Sequence, residues 1–217
     1  MGIEIIQKHF LDARERYPKL QHLIQENNTW KINGVIDVID DEGGYWDSYE
    51  VSIVMPDDYP DSLPILIETS NKIERHIDWH MIPGGVCCLS TQAKMFYDLG
   101  GNITLVKWLD EFAHPFLANH VYKVKTGHYA NEEFSHGNKG ILEGWKKIIP
   151  LEDNNQILAY LQQMIGVKSL PLNRQCFCGS GKKYKRCYLL NPKDHLMNIP
   201  ASQIIKDINA IRKEIYN

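Results

Sequence analysis

A chain of 217 residues is long enough for one well-cored domain and an accessory module. Its 43% hydrophobic and 24% charged residues are those of a globular protein, and no apolar run approaches the roughly 20 residues a membrane helix needs. The start, Met-Gly-Ile-Glu-Ile-Ile, lacks the basic-then-apolar pattern of a secretion signal, so a cytoplasmic location and no membrane partner are expected.

The net charge of −3 is unevenly spread. Residues 171–217 hold nine Lys or Arg against three Asp or Glu, and the rest of the chain holds fifteen against twenty-four. A basic module thus follows an acidic domain, and it reads either as a solvated basic face or as a tail that docks on an anionic partner, nucleic acid or acidic protein. The five cysteines fall at 87/88 and at 176/178/187. Both clusters are too tight for a disulfide framework and suit functional thiols in a reducing compartment.

In chain order, Ile3, Ile6 and Phe10, continued by Leu20 and Leu23, recur at near-helical spacing. They predict an amphipathic helix broken at Tyr17-Pro18. Trp30, Ile32, Ile36 and Val38 alternate, with Gly34 in register, and predict a strand with one buried face. After the turn at Asp40-Asp-Glu-Gly-Gly44, the alternation resumes at Asp47, Tyr49, Val51, Ile53 and Met55. Pro56, Pro60 and Pro64 confine the next stretch to a strand end or sheet edge, and Ile65–Thr69 predicts a short third strand.

An irregular segment follows, ending in Ile82-Pro-Gly-Gly-Val-Cys-Cys-Leu89. Ile103, Val106, Leu109, Phe112 and Phe116 predict a long helix that Pro115 should kink or break. Ile141–Ile149 predicts a helix with Leu142, Trp145 and Ile148 on one face. Asp153 predicts an N-cap for a further helix to about Ile165, which Gly166 stops. Ile204, Ile208, Ile211 and Ile215 predict a last helix after Pro200. Helix, antiparallel meander, thiol-bearing segment, then helices is an α+β order.

The thiol segment has a chemical reading. A glycine turn makes Cys88 accessible, and a thiolate can attack an activated carbonyl and hold the acyl group until an amine displaces it. Cys87, on the opposite face by strand alternation, is expected to be a buried structural residue. A disulfide between the two neighbours would close a strained eight-membered ring. His76 and His114 are expected to be ordinary surface or core histidines.

Over residues 1–150 the chain resembles the ubiquitin-conjugating enzymes. The resemblance rests on Tyr49-Glu-Val-Ser-Ile, on Met55-Pro-Asp-Asp-Tyr-Pro-Asp-Ser-Leu-Pro64 and on Gly85-Val-Cys-Cys-Leu89. It implies their fold, an antiparallel meander flanked by helices, with Cys88 as the thioester-forming residue. That family carries an Asn eight residues before the thiol, and here His80 stands in its place, implying a role at the thioester oxyanion or its loop. Leu105–Lys123 and Ser135-His-Gly-Asn-Lys-Gly140 look like stand-alone bacterial members of CBASS antiphage operons, which adds His136 as a candidate near the thiol. The implied activity is transfer of a protein's C-terminus from Cys88 to a lysine. The implied partner is a cGAS-like cyclic-nucleotide synthase or a ubiquitin-like protein. Two other readings stay open: a non-catalytic adaptor of the same fold, and a nucleic-acid- or ribosome-associated zinc protein.

Cys176-Phe-Cys-Gly-Ser-Gly-Lys-Lys-Tyr-Lys-Arg-Cys187 resembles the SEC-C module. Two thiolates one residue apart, and a third returned by the Gly-Ser-Gly turn, suit tetrahedral zinc. The resemblance places a fourth ligand directly after Cys187, where this chain has Tyr188, so His195, or Asp194 beside it, is expected to close the site. The expected organisation is a catalytic domain over 1–150, a helical linker over 151–170, and a zinc knuckle with its terminal helix over 171–217.

Overall fold

A computed structural model describes residues 2–131, 133–149, 151–167, 172–187 and 195–216, apart from the side chain of His195. The chain forms two compact units, one of Met1–Leu89 and Asn102–Glu133, the other of Ser90–Gly101 and Phe134–Asn217.

The first unit is α+β. Helix α1 spans Gly2–Arg16, and six strands follow: β1 Leu20–Glu26, β2 Thr29–Ile39, β3 Tyr45–Met55, β4 Ile65–Glu68, β5 Met81–Ile82 and β6 Val86–Cys87. They form one antiparallel sheet in the order β1-β2-β3-β4-β6-β5. The expected alternation holds in β2 and β3. Ile32, Ile36, Val38, Tyr49, Val51, Ile53 and Met55 are buried, on the face that α4 (His114–Thr126) covers. Ile6, Phe10 and Ala13 of α1 join that core.

Leu20 and Leu23 do not extend the first helix. They lie in β1, because Pro18 ends the helical path and Asn27-Asn28 turns the chain back. Both asparagines have positive φ, 49° and 64°, the geometry of a two-residue hairpin turn that matches strand twist. Gly34 sits where this bulged edge crosses β2. A Cβ there would meet the Lys19 carbonyl at 2.2 Å.

The predicted long helix is continuous in path but changes pitch. It runs as α3 (Leu105–Trp108), then a π-helical stretch over Leu109–Ala113, then α4. Pro115 lacks an N–H and crowds the carbonyl four residues back, and the wider turn just before it relieves that clash instead of breaking the helix.

The second unit is helical: α2 Gln92–Leu99, α5 Gly137–Ile148, α6 Asn154–Met164 and α7 Ala201–Tyr216. Asp153 caps α6 as expected, its Oδ1 accepting from the Gln156 N–H at 2.8 Å. Trp145 is fully buried between α5 and α7 and donates its indole N–H to Asp207 Oδ2 at 2.9 Å. Gln203 donates to the other oxygen at 2.7 Å.

Asp207 is only 3% exposed, and burial is the leading cause raising its pKa above the ordinary carboxylate value. The folded chain therefore binds this proton more tightly than the unfolded one. Stability from this group is full below the unfolded pKa and is lost as pH rises toward the folded value. Asp207→Asn keeps an acceptor for Trp145 and removes the charge. Its urea midpoint should exceed that of the wild type at pH 8, with the difference closing as pH falls toward 4.

Candidate functional site

Cys87 and Cys88 divide as alternation predicts: Cys87 is buried and Cys88 exposed. They follow a tight turn between β5 and β6 in which Gly84 and Gly85 both have φ near +85°, a conformation side-chain-bearing residues rarely adopt. Gly85 is also pressed against β4. Its carbonyl accepts from the Glu68 N–H at 2.8 Å, and a Cβ would meet the Glu68 carbonyl oxygen at 2.5 Å. Sequence thus supplies the one residue type that can hold Cys88 on this edge.

Beneath the turn lies a buried ion pair that sequence reading did not find. The Glu68 side chain has no exposed surface, and its Oε2 meets Arg75 Nη1 at 2.6 Å. Ser70 donates to its other oxygen, and Arg75 Nη2 also donates to the Glu68 carbonyl at 2.7 Å. The two partners are unequal, since Arg75 is 29% exposed. Arg75→Met strands a buried carboxylate and should cost about 3 kcal/mol. Glu68→Gln leaves an arginine that water can reach and should cost only about 1 kcal/mol. Urea midpoints of the two variants test that order.

His80 is attached to Cys88 through the backbone. Its carbonyl accepts the Cys88 N–H at 2.8 Å, one step beyond the Met81↔Cys87 pair of the β5–β6 ladder. His80 has φ 52°, at the C-terminal end of a short 3₁₀ turn over Ile77–Trp79. Its ring Nε2 lies 2.8 Å from Glu133 Oε1 and its ring packs on Tyr129 at 5.5 Å. The turn is pinned to α4 by Lys123, whose ammonium donates to the Asp78 carbonyl at 2.6 Å. That ammonium also sits 4.4 Å from the Trp79 ring centre and 3.9 Å from that of Tyr129. Trp79 also packs on the buried His120, whose Nδ1 meets the Tyr49 hydroxyl at 2.7 Å.

Desolvation raises both thiol pKa values. Cys87 is pushed up to about 12, while Cys88, although exposed, is also raised above the ordinary value. Neither is an acid-activated thiolate of the kind set beside a cation. An open hollow of ≈590 Å³ lies on the outer face of β1–β4, lined by Lys19, Asn33, Glu50 and Ser52 among others, and neither Cys88 nor His80 lines it.

His136 is exposed and precedes α5 in the second unit, with no side-chain cap bond to that helix. His76 caps the 3₁₀ turn, its Nδ1 accepting from the Asp78 N–H at 3.3 Å, and His114 Nε2 accepts from the Ile39 N–H at 3.4 Å, so both have ordinary structural roles.

Cys176, Cys178 and Cys187 form a structural zinc-binding site. Their sulfurs lie within 4.8 Å of one another, and those of Cys178 and Cys187 are 3.4 Å apart. Sulfurs at tetrahedral corners about 2.3 Å from an ion stand roughly 3.8 Å apart, so the cluster fits zinc with little adjustment. The turn between the ligands is closed by the Cys176 N–H donating to the Lys182 carbonyl at 2.8 Å and by a bridge between Gln175 and Lys183. Ser180 Oγ lies 3.1 Å from Cys178 Sγ and 3.7 Å from Cys187 Sγ, placed to orient the thiolates. The knuckle is anchored to α6 through Tyr184, fully buried, whose hydroxyl meets that of Tyr160 at 3.0 Å, and through Phe177 packed between the two rings. Tyr188, Asp194 and the His195 side chain lie outside the described residues.

The SEC-C motif model matches residues 173–187, the span that holds all three sulfur ligands. No curated protein and no solved structure matches the chain.

Proposed function

We propose that the first unit is a ubiquitin-conjugating-enzyme-like carrier that takes a protein's C-terminus as a thioester on Cys88 and passes it to a lysine. The single observation that carries this reading is the division of the thiol pair. One cysteine is buried, and its neighbour stands open at the end of a two-glycine turn held by β4, with its N–H fixed by His80. The meander preceded by a helix, and the raised thiol pKa, agree with it: exchange with an already activated acyl donor needs access more than acidity. The partner would be a cGAS-like cyclic-nucleotide synthase or a ubiquitin-like protein, in antiphage defence. The test is a denaturing gel of the full chain incubated with such a synthase and its activating enzyme. A covalent adduct cleaved by thiols, and absent from Cys88→Ala, is expected. An adduct that survives this substitution removes Cys88 from the reaction.

The SEC-C match favours a second reading, a zinc-stabilised adaptor whose basic knuckle docks on an anionic partner. Arg174, Lys182, Lys183, Lys185 and Arg186 are all exposed, and residues 172–187 hold no Asp or Glu. Full phage protection by Cys88→Ala, lost on Cys187→Ser, would select this reading over the first.

A further inference from the structure

The knuckle gathers three thiolates on one ion, and two of them already stand where they can bond to each other. Cys178 Sγ and Cys187 Sγ lie 3.4 Å apart, and Ser180 Oγ is 3.1 Å from the first and 3.7 Å from the second. The ligands differ in access. Cys176 and Cys187 are 5% and 4% exposed, whereas Cys178 is half-buried. A small oxidant therefore meets Cys178 first. The ligands also differ in the bonds open to them. Cys176 and Cys178 are separated by one residue, and a disulfide between them would close a small, strained ring. Cys178 and Cys187 stand nine positions apart, across a turn in which Gly179 and Gly181 both have positive φ. A disulfide there closes a wider ring that the glycines let relax.

We propose that the knuckle is a peroxide-sensitive zinc switch, in which hydrogen peroxide joins Cys178 to Cys187 and expels the ion. The Cys178 thiolate attacks one peroxide oxygen. The O–O bond breaks, the other oxygen leaves as water with one proton from solvent, and Cys178 becomes a sulfenic acid. The Cys187 sulfur then attacks the Cys178 sulfur. The S–S bond forms, the S–O bond breaks, and the hydroxide leaves as water with a second proton. The two sulfurs lose two electrons and the peroxide gains them. Cys176, no longer shared with the ion, takes up a third proton. The zinc-bound trithiolate, one peroxide and three protons thus become free zinc, a disulfide, a thiol and two waters.

The outcome is structural. Sulfurs joined to each other no longer serve as thiolate ligands, and one remaining cysteine does not make a four-ligand site. The disulfide ties only residue 178 to residue 187. The Cys176–Lys182 hydrogen bond and the Gln175–Lys183 bridge lose the ion that held them together. Arg174, Lys182, Lys183, Lys185 and Arg186 are all exposed on this turn, so oxidation would dissolve the frame that presents them. The switch rests on the zinc site alone and is independent of acyl transfer at Cys88.

The experiment uses the full zinc-loaded chain carrying Cys88→Ala, which removes the exposed thiol as a competing target. One equivalent of hydrogen peroxide is added at neutral pH in the presence of a chromogenic zinc indicator. Release of one zinc per oxidised chain is expected, together with an intact mass lower by two hydrogens. Peptide mapping should find Cys178 linked to Cys187, with Cys176 still open to iodoacetamide. Amide-exchange protection at Cys176 and Tyr184 should be lost, and a dithiol reductant with added zinc should restore both metal and protection. Zinc retained at unchanged mass overturns the switch. So does zinc lost with added oxygen in place of lost hydrogen, or a linkage through Cys176 or between two chains. Full amide protection in the oxidised chain overturns its structural outcome. A chain that takes up no zinc at the start removes the site and the switch together, and leaves the carrier reading to its own test.

Discussion

Removing zinc with a strong chelator should dissolve the ordered turn over residues 173–187 and leave the six-stranded sheet standing. The knuckle has almost no core of its own. Tyr184 is its one large fully buried side chain, and the other buried positions are the ligands Cys176 and Cys187. Burial of one tyrosine stabilises by about 3 kcal/mol, whereas fixing some fifteen residues costs on the order of 15 kcal/mol or more in backbone entropy alone. Zinc binding at neutral pH contributes roughly 10–16 kcal/mol in small metal-folded modules, which offsets most of that cost. Amide-exchange protection at Cys176, Tyr184 and Cys187, whose N–H groups close the turn, should vanish on chelation and equally in Cys187→Ser. The β2 and β3 amides should be unmoved.

The pH dependence has a definite sign. Burial pushes the Cys176 thiol up to about 12 in the metal-free chain, so zinc must displace protons to bind. Affinity therefore rises with pH, by up to about a thousandfold per unit when three thiols deprotonate together. The knuckle should release metal on mild acidification well before the sheet unfolds. Full protection of residues 173–187 in the presence of excess chelator would show that packing on α6 alone holds the turn.

Periodicity and punctuation made much of this architecture readable. Alternation from Trp30 to Met55 placed β2 and β3 and the buried face of each. Asp153 and Gly166 bracketed α6, and the isoleucine repeat located α7. The misses have local causes. Leu20 and Leu23 fall at helical spacing from Phe10 by coincidence; the decisive signal was the Asn27-Asn28 pair, which only a hairpin turn uses so economically. Helix α2 was overlooked between the thiol and the long helix, although Thr91 caps it, its hydroxyl accepting from the Lys94 N–H, and Gly100 ends it. Ala93, Met95, Phe96 and Leu99 give it a buried face. Residue type and spacing identified the three sulfur ligands, and strand alternation separated exposed Cys88 from buried Cys87, because ligand geometry and turn chemistry are sequence-local. Glu68, Arg75, Lys123 and Glu133 were not identifiable in this way. Each acts across a gap in sequence that the sheet and α4 close, and a lone Glu or Lys has no pattern that announces a buried or cage-held partner.

Alkylation should separate the five cysteines into three classes, and the class of Cys88 decides whether a carbonyl can reach it. With zinc bound, iodoacetamide at pH 8 is expected to add a single mass increment, on Cys88. Cys87 is 6% exposed, with its thiol pushed up to about 12, so about one molecule in ten thousand carries its thiolate at that pH, against roughly a quarter for an ordinary thiol. Its reaction should be at least about a thousandfold slower than that of a free cysteine, even before its burial is counted. Cys88 is raised too, by desolvation, so it should react more slowly than a free cysteine and accelerate as pH rises toward its pKa. Chelation should then expose Cys176, Cys178 and Cys187 and add three further increments, with Cys87 modified only on global unfolding. Substituting Cys88 by Ala should abolish the first increment without shifting the urea midpoint, because an exposed side chain contributes little to packing. Substituting Cys87 by Ser should do the reverse. It places a hydroxyl beside the Gly85 carbonyl and beneath the two-glycine turn, and is expected to cost about 1–2 kcal/mol while leaving the labelling of Cys88 in place. Zinc-loaded protein that takes up no label at Cys88 would mean the sulfur is closed to reagents far smaller than a protein's C-terminus, and thioester chemistry at this position would be ruled out.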